Sequence, residues 1–330
     1  MLCFAHISDL HFGDKLANSG RGVTKQRPHD IAKCLALPSG INLAMDEAKM
    51  PDDAELRVIA SGDLSVSGSM QQLAVAHAFL RSEVSISRLP APYGVMGLNV
   101  SGDRLGVIPG NHDHWAGNRS ALCPYNGNLF DEQFRFTPWV KPWSSYQGDF
   151  EVDVFGVDTD SGWNPNPPGI ARRFQGGVLA QGRISDPEFA ALEKQLATSS
   201  SKSTPTVRTI VCHHSLSYRG GRLGTLELET ASRDTLLDLA GKYRVAAILT
   251  GHTHDSHYES AQRANWMVTE LRCGSTVGWP EVATDKADFL FHCITRADRK
   301  WTWTVWRFGW VGGGYACWKK GPWKTFDGPF

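Results

Sequence analysis

No two cysteines in this chain stand in a C-x-x-C spacing; the seven present, at positions 3, 34, 123, 212, 273, 293 and 317, are scattered singly. That leaves no redox or thiolate-metal motif to read from spacing, and an odd number cannot all pair within one chain, so a reducing, cytoplasmic setting is expected. Net charge is absent too. Lysine plus arginine number 34, and aspartate plus glutamate number 34, so no global positive field draws in nucleic acid or an anionic membrane. No apolar run approaches the ~20 residues of a membrane span. The opening "MLCFAHISDLHFGD" lacks a basic leader and carries polar residues within its apolar stretch, which argues against a cleaved signal. There is no internal repeat, and the one low-complexity tract, "ATSSSKSTPT" (197–206), reads as a surface connection.

What is present is an alternation of short apolar runs and helical patterns. The runs at 2–8, 56–61, 104–109, 150–157, 207–212 and 245–250 have the length of strands. Between them, 41–50, 70–84, 185–198 and 232–243 carry helical periodicity. The third helix is the best signalled, with Asp186 able to cap, Pro187 suited to the first helical position, and Ser185 and Glu188 spaced as a capping box. Such alternation predicts an α/β sheet with helices on its faces. After about residue 265 three apolar segments follow one another without a helix, which predicts antiparallel strands. In "WTWTVWRFGW" both phases are apolar, so that strand is either sandwiched or bulged near 305–306. Long loops are expected at 13–30, 114–149, 158–180 and 214–230.

The unusual polar residues fall at the predicted strand ends. Asp9 and His11 follow the first strand, Asp63 the second, and Asn111, His112 and Asp113 the third; His213 and His214 follow a later strand and His252 and His254 the next. In open α/β sheets the carboxyl ends of strands are where ligands bind, so five segments deliver polar groups to one edge. Aspartate, asparagine and imidazole suit Fe, Mn, Zn, Co or Ni, and the collection is large enough for two ions. Asp63 is the candidate bridging carboxylate, and Gly62, Gly110 and Gly251 stand where the backbone must turn sharply or approach a neighbour closely. An isolated histidine is more often a surface or core residue than a ligand; the five segments together reverse that reading.

The ordered series Asp-x-His, Gly-Asp, Gly-Asn-His-Asp, His and Gly-His-x-His resembles the calcineurin-like metallophosphoesterases, from about residue 3 to 254 and on into the following strands. The resemblance implies an αββα four-layer sandwich of two mixed sheets flanked by helices, spanning 1–298, with a Trp-rich extension at 299–330 packed on the same domain. It implies Asp9, His11 and His254 on one metal ion, Asn111, His213 and His252 on a second, and Asp63 between them, the ions being Mn, Fe or Zn. His112 matches the family histidine near the scissile phosphate, and Asp113 is placed to orient it. The "DTD" at 158–160 and the segment leading into the third helix resemble the cyclic-nucleotide and glycerophosphodiester branch. A phosphodiesterase acting on a small-molecule ester is therefore expected, with phosphomonoesterase, nuclease or a non-enzymatic scaffold as alternatives. His214, Arg219 and Arg222 are candidate substrate contacts, while His114 and His257 are more readily explained as neighbours of the motifs. The C-terminal tryptophans are assigned to core packing or a homo-oligomer contact rather than to base stacking.

Overall fold

The structure is a computed structural model that describes residues 1–13, 29–85, 95–100, 102–115, 128–162, 181–217, 227–278 and 287–328. In chain order its elements begin with β1 (Leu2–Ile7), α1 (Ile31–Glu47), β2 (Val58–Ser61), α2 (Met70–Arg81), β3 (Val84–Ser85), β4 (Val95–Met96) and β5 (Leu105–Ile108). There follow α3 (Asn128–Gln133), β6 (Trp139–Ser144), β7 (Glu151–Gly156), α4 (Asp186–Ser200), β8 (Thr206–Val211), α5 (Thr230–Lys242) and β9 (Val245–Thr250). The chain closes with β10 (His257–Arg263), β11 (Trp266–Arg272), β12 (Asp288–Ala297), β13 (Lys300–Val311), β14 (Gly314–Cys317) and β15 (Lys324–Gly328). Among the described residues no helix is long and apolar enough to cross a membrane.

Two sheets carry the architecture. The first runs β14-β13-β12-β1-β2-β5, with β15 also on β13; the second runs β10-β11-β9-β8-β7-β6. Both are mixed: β1, β2 and β5 pair in parallel, as do β7, β8, β9 and β11, whereas β1–β12 and β6–β7 are antiparallel. Three apolar layers follow from strand alternation. Leu2, Phe4, Ile59, Val152, Val207, Leu249 and Trp303 fill the space between the sheets. On β1 the alternate residues Cys3, Ala5 and Ile7 face outward under α1 and α2. The outer face of the second sheet packs on α4 and α5 through Leu192, Leu196, Leu236 and Leu237. The result is the expected αββα sandwich. Trp139 pins the two sheets together: it is almost fully buried on β6, and its indole N–H donates to the Val107 carbonyl of β5 at 2.9 Å.

Several local expectations need correction. The helix expected from 41 begins ten residues earlier, capped by Asp30, whose Oδ1 accepts the Ala32 N–H at 2.9 Å, and it continues through Pro38. Burial of Cys34, Leu37, Ile41 and Ala44 on one face outweighs the missing proline N–H. For α4 the cap is Ser185, which accepts from Glu188 N–H; Asp186 is the first helical residue and Pro187 the second. The expected loop at 114–149 contains α3 and β6. The Trp-rich strand is sandwiched and not bulged: β13 pairs with β12 in unbroken register from Asp288↔Gly309 to Ala297↔Lys300. Trp301, Trp303 and Val305 enter the inter-sheet core while Phe308 enters the opposite one. Residues 298 and 299 form the short turn between β12 and β13, and the chain beyond them continues the first sheet.

Two histidines, His6 on β1 and His292 on β12, are fully buried near each other, with ring centroids 5.7 Å apart. Burial lowers both; His6 falls to about 3 and His292 well below its usual value, so both stay neutral in the fold. The unfolded chain takes up these protons below pH ~6.5, so stability is present above that pH and lost as pH falls. Between pH 7 and 5 the loss is about 2 kcal/mol for each histidine. Urea midpoints measured with a chelator present should therefore fall more steeply across that range in the native chain than in His6→Gln/His292→Gln.

Candidate metal centre

The candidate ligands sit on loops that leave the carboxyl ends of β1, β2, β5, β8 and β9. The first three belong to one sheet and the last two to the other, so the site forms where the sheets meet. Backbone pairing outlasts the strands. His11 N–H donates to the Asp63 carbonyl at 3.0 Å and Phe12 N–H to Leu64 at 2.8 Å, which sets Asp9 and His11 beside Asp63. Ser275 Oγ donates to the Asp9 carbonyl at 2.9 Å, and Gly251 N–H donates to the His213 carbonyl at 2.9 Å. A Cβ on Gly110 would stand 2.3 Å from Asp63 Oδ1, and one on Gly251 would stand 1.9 Å from Ser8 Oγ, so these positions have room only for glycine. Asp9, His11, Asp63, His252 and His254 all adopt positive φ, from 48° to 69°. Each such backbone costs on the order of 1 kcal/mol, and its clustering here marks a constrained site.

Asp9, His11 and His254 bring one ligand atom each within 4.8 Å of one another, as do Asp63, His213 and His252. His11 Nε2 and His254 Nε2 face each other at 3.3 Å; His252 Nδ1 and His213 Nε2 do so at 3.1 Å. Two nitrogens held ~2.1 Å from one ion stand roughly 3.0 to 3.4 Å apart at angles between 90° and 109°. Asp63 joins the sets. Its Oδ1 accepts the His112 backbone N–H at 2.9 Å, while Oδ2 lies 3.9 Å from His11 Nε2 and 3.4 Å from His213 Nε2. His213 Nδ1 donates to the Ser61 carbonyl at 2.8 Å, which turns Nε2 toward Asp63. Asp9 Oδ2 accepts from Ser8 Oγ at 2.6 Å and His252 N–H at 3.0 Å. Asp9 Oδ1 has His254 Nε2 3.2 Å away, whereas Asn111 Oδ1 and His252 Nε2 are buried without a hydrogen-bond partner. Each orphaned atom costs about 1–3 kcal/mol, which a cation would remove. Donor chemistry, spacing and orphaned atoms all fit two cations.

The chain matches the family model described as calcineurin-like phosphoesterase over residues 3–256. It belongs to the calcineurin-like phosphoesterase family. Members of that family act on phosphate esters and typically bind two metal ions. No curated protein sequence matches the chain. Among solved structures it is similar to GAP50, the anchor in the inner membrane complex of Plasmodium, at 12% identity and TM-score 0.52, covering 98% of this chain and 89% of that one. It is also similar to purple acid phosphatase PPD1 from yellow lupin (Lupinus luteus) seeds, at 15% identity and TM-score 0.51, covering 98% of this chain and 53% of that one. At these identities the likeness concerns the fold.

Within this family frame the remaining candidates sort themselves by geometry. His112 stands at the edge of the set, its Nε2 3.8 Å from Asp63 Oδ2 and its ring 3.8 Å from that of Trp115, centroid to centroid. The expectation that Asp113 orients it is not met. His112 Nδ1 donates to the Val66 carbonyl at 2.8 Å instead, a backbone partner with no side-chain signature in the sequence. The Asp113 carboxylate accepts from Gly110 N–H, Leu64 N–H, Ser65 N–H and Ser65 Oγ, at 2.7 to 3.1 Å. It fastens the turn carrying Asn111 and His112 to the loop after β2. His214 is fully buried behind His252, its Nδ1 2.7 Å from Thr159 Oγ1, so no face of it meets a substrate in this conformation. Arg219 and Arg222 lie outside the described residues. His257 is exposed on β10.

Electrostatics hold the two carboxylates ionised. Burial pushes Asp63 upward, but His213, His112 and His11 outweigh it and keep it well below the usual carboxylate range; His254 and His213 do the same for Asp9. Burial lowers His11 and His252 to about 3, whereas for His213 the carboxylates of Asp63 and Asp9 overcome burial and lift it to about 10. The centre is thus built around two buried anions. Replacing Asp63 by alanine is expected to remove about two equivalents of bound metal relative to the native chain, while His252→Ala and His254→Ala remove about one each, read by elemental analysis after reconstitution. Asp113→Ala is expected to lower stability by about 3 kcal/mol in denaturant titration, because four buried donors lose their acceptor.

Proposed function

We propose that the chain is a binuclear metal-dependent phosphodiesterase, with Asp9, His11 and His254 holding one ion, Asn111, His213 and His252 the other, and Asp63 shared. The observation that carries this reading is the position of Asp63 Oδ2 between His11 and His213, within 4 Å of both. When bound, ions such as Mn, Fe or Zn activate water as a nucleophile and neutralise phosphoryl charge. The chain's own residues supply the rest. Asp9 and Asp63 bring the negative charge that attracts cations, and the Val66 carbonyl fixes the His112 ring so that Nε2 faces the site. From Nε2, His112 gives a proton to the departing oxygen, a contribution of roughly 10²- to 10⁴-fold.

The diester preference rests on the motif resemblance to the cyclic-nucleotide and glycerophosphodiester branch. A small-molecule ester and a cytoplasmic setting complete the proposal. The scaffold alternative requires a depleted ligand set, and here every position of the motif is filled. Turnover of bis-aryl and mono-aryl phosphate esters, compared with each metal supplied separately, tests the reading. We expect kcat/KM to be at least about tenfold higher for the diester, with His112→Ala slowing esters of poor leaving groups about 100-fold and activated aryl esters less. A preference for the monoester would replace phosphodiesterase by phosphomonoesterase.

A further inference from the structure

Beside the Asp63 centre lies a second group of ligand-bearing side chains that belongs to neither ion. His114, Asp158 and Asp160 place one ligand atom each within 4.8 Å of one another, and all three are at least 96% buried. His114 Nε2 is hydrogen-bonded to Asp158 Oδ1 at 3.2 Å, an oxygen that also accepts the Asp160 N–H at 2.7 Å; the same 3.2 Å separation suits two ligand atoms on one cation. Asp160 Oδ2 is buried without a hydrogen-bond partner. His214 Nδ1 stands 3.9 Å from it and is engaged with Thr159 Oγ1 at 2.7 Å. Glu188 adds a third buried carboxylate, accepting the Asp158 N–H at 3.0 Å. The unpartnered Asp160 oxygen therefore lies within ligand reach of His114 and Asp158, and a buried carboxylate oxygen without a donor is a place for a cation.

The placement is informative. Asn111 and His114 lie three residues apart on one 3₁₀ turn, where such residues eclipse, so His114 projects from the same edge of the turn as a candidate ligand of the main centre. That turn follows β5 of the first sheet, whereas Asp158 and Asp160 follow β7 of the second. We propose that His114, Asp158 and Asp160 form a buried structural site for a divalent transition-metal ion that staples the two sheets beside the Asp63 centre. The donors are one imidazole and two carboxylates with no sulfur, a set suited to Zn²⁺ or Mn²⁺. The ion would hold the Asn111 turn against the second sheet, and removing it would loosen the mouth of the main centre without removing a ligand from it.

The test is a zinc count on protein stripped with a chelator, reloaded with Zn²⁺ and freed of excess. Asp158→Asn/Asp160→Asn is expected to hold about one equivalent less than the native chain, whereas Asp9→Ala/Asp63→Ala keeps that equivalent and loses it when the two asparagine substitutions are added. In the Asp9→Ala/Asp63→Ala background Zn²⁺ should also raise the melting temperature by several degrees, and this shift should vanish with the asparagines. Equal zinc contents in the native chain and the asparagine variant, both folded by circular dichroism, would overturn the proposal. Should the asparagine variant not fold, the absence of a Zn²⁺-dependent shift in Asp9→Ala/Asp63→Ala overturns it equally. Failure of the binuclear reading alone looks different: the native chain would then hold about one ion, insensitive to Asp63→Ala and abolished by the asparagines.

Discussion

A buried carboxylate must be compensated, and Asp63 is the carboxylate around which this molecule is arranged. Its Oδ1 is held by the His112 N–H, and its Oδ2 is left facing imidazoles from both sheets. The neighbouring backbone is shaped to permit this. Five candidate ligands take up left-handed conformations, and Gly110 and Gly251 clear space that any Cβ would occupy. Such features cost stability locally and persist because the surrounding sandwich over-determines them.

That sandwich also sets the scale of the site. Asp9, His11, Asp63 and Asn111 come from the first sheet, and His213, His252 and His254 from the second. The inter-sheet core, with Trp139 on β6 bonded to Val107 on β5, therefore fixes how far apart the two half-sites stand. Packing and chemistry are coupled: loosening the core separates the ligands. The His114, Asp158 and Asp160 cluster crosses the same seam, which is why a cation there would act on the geometry of the main centre without touching its ligands.

Much of this was legible in the sequence for a physical reason. Buried parallel strands read as continuous apolar runs, and a ligand loop at a strand end is a local event, so "GHTH" after "VAAILT" or "GNHD" after "RLGVI" shows strand, turn and donor together. Elements whose stability comes from distant partners were hidden. β10, "HYESAQR", is largely exposed and exists because β11 pairs with it, while β6 contains Pro142 and is organised around two buried tryptophans. The first half of α1 was obscured by "LPSG", which the buried face of the helix overrides. In the site, the histidines were visible but their orientation was not. The partners of His112 and His213 are the carbonyls of Val66 and Ser61, and a backbone acceptor leaves no trace in residue identity. Asp113 adjoins His112 in the chain yet points its carboxylate at four other donors.

The central claim is that one carboxylate, Asp63, is shared by two ions. Electron paramagnetic resonance of the Mn²⁺-loaded protein reads that directly, because two ions bridged at the ~3.5–4 Å separation of two-metal sites are magnetically coupled. The account predicts a coupled dinuclear signal at saturating Mn²⁺ that disappears in Asp63→Ala. Only uncoupled six-line signals at every loading of the native chain would contradict it.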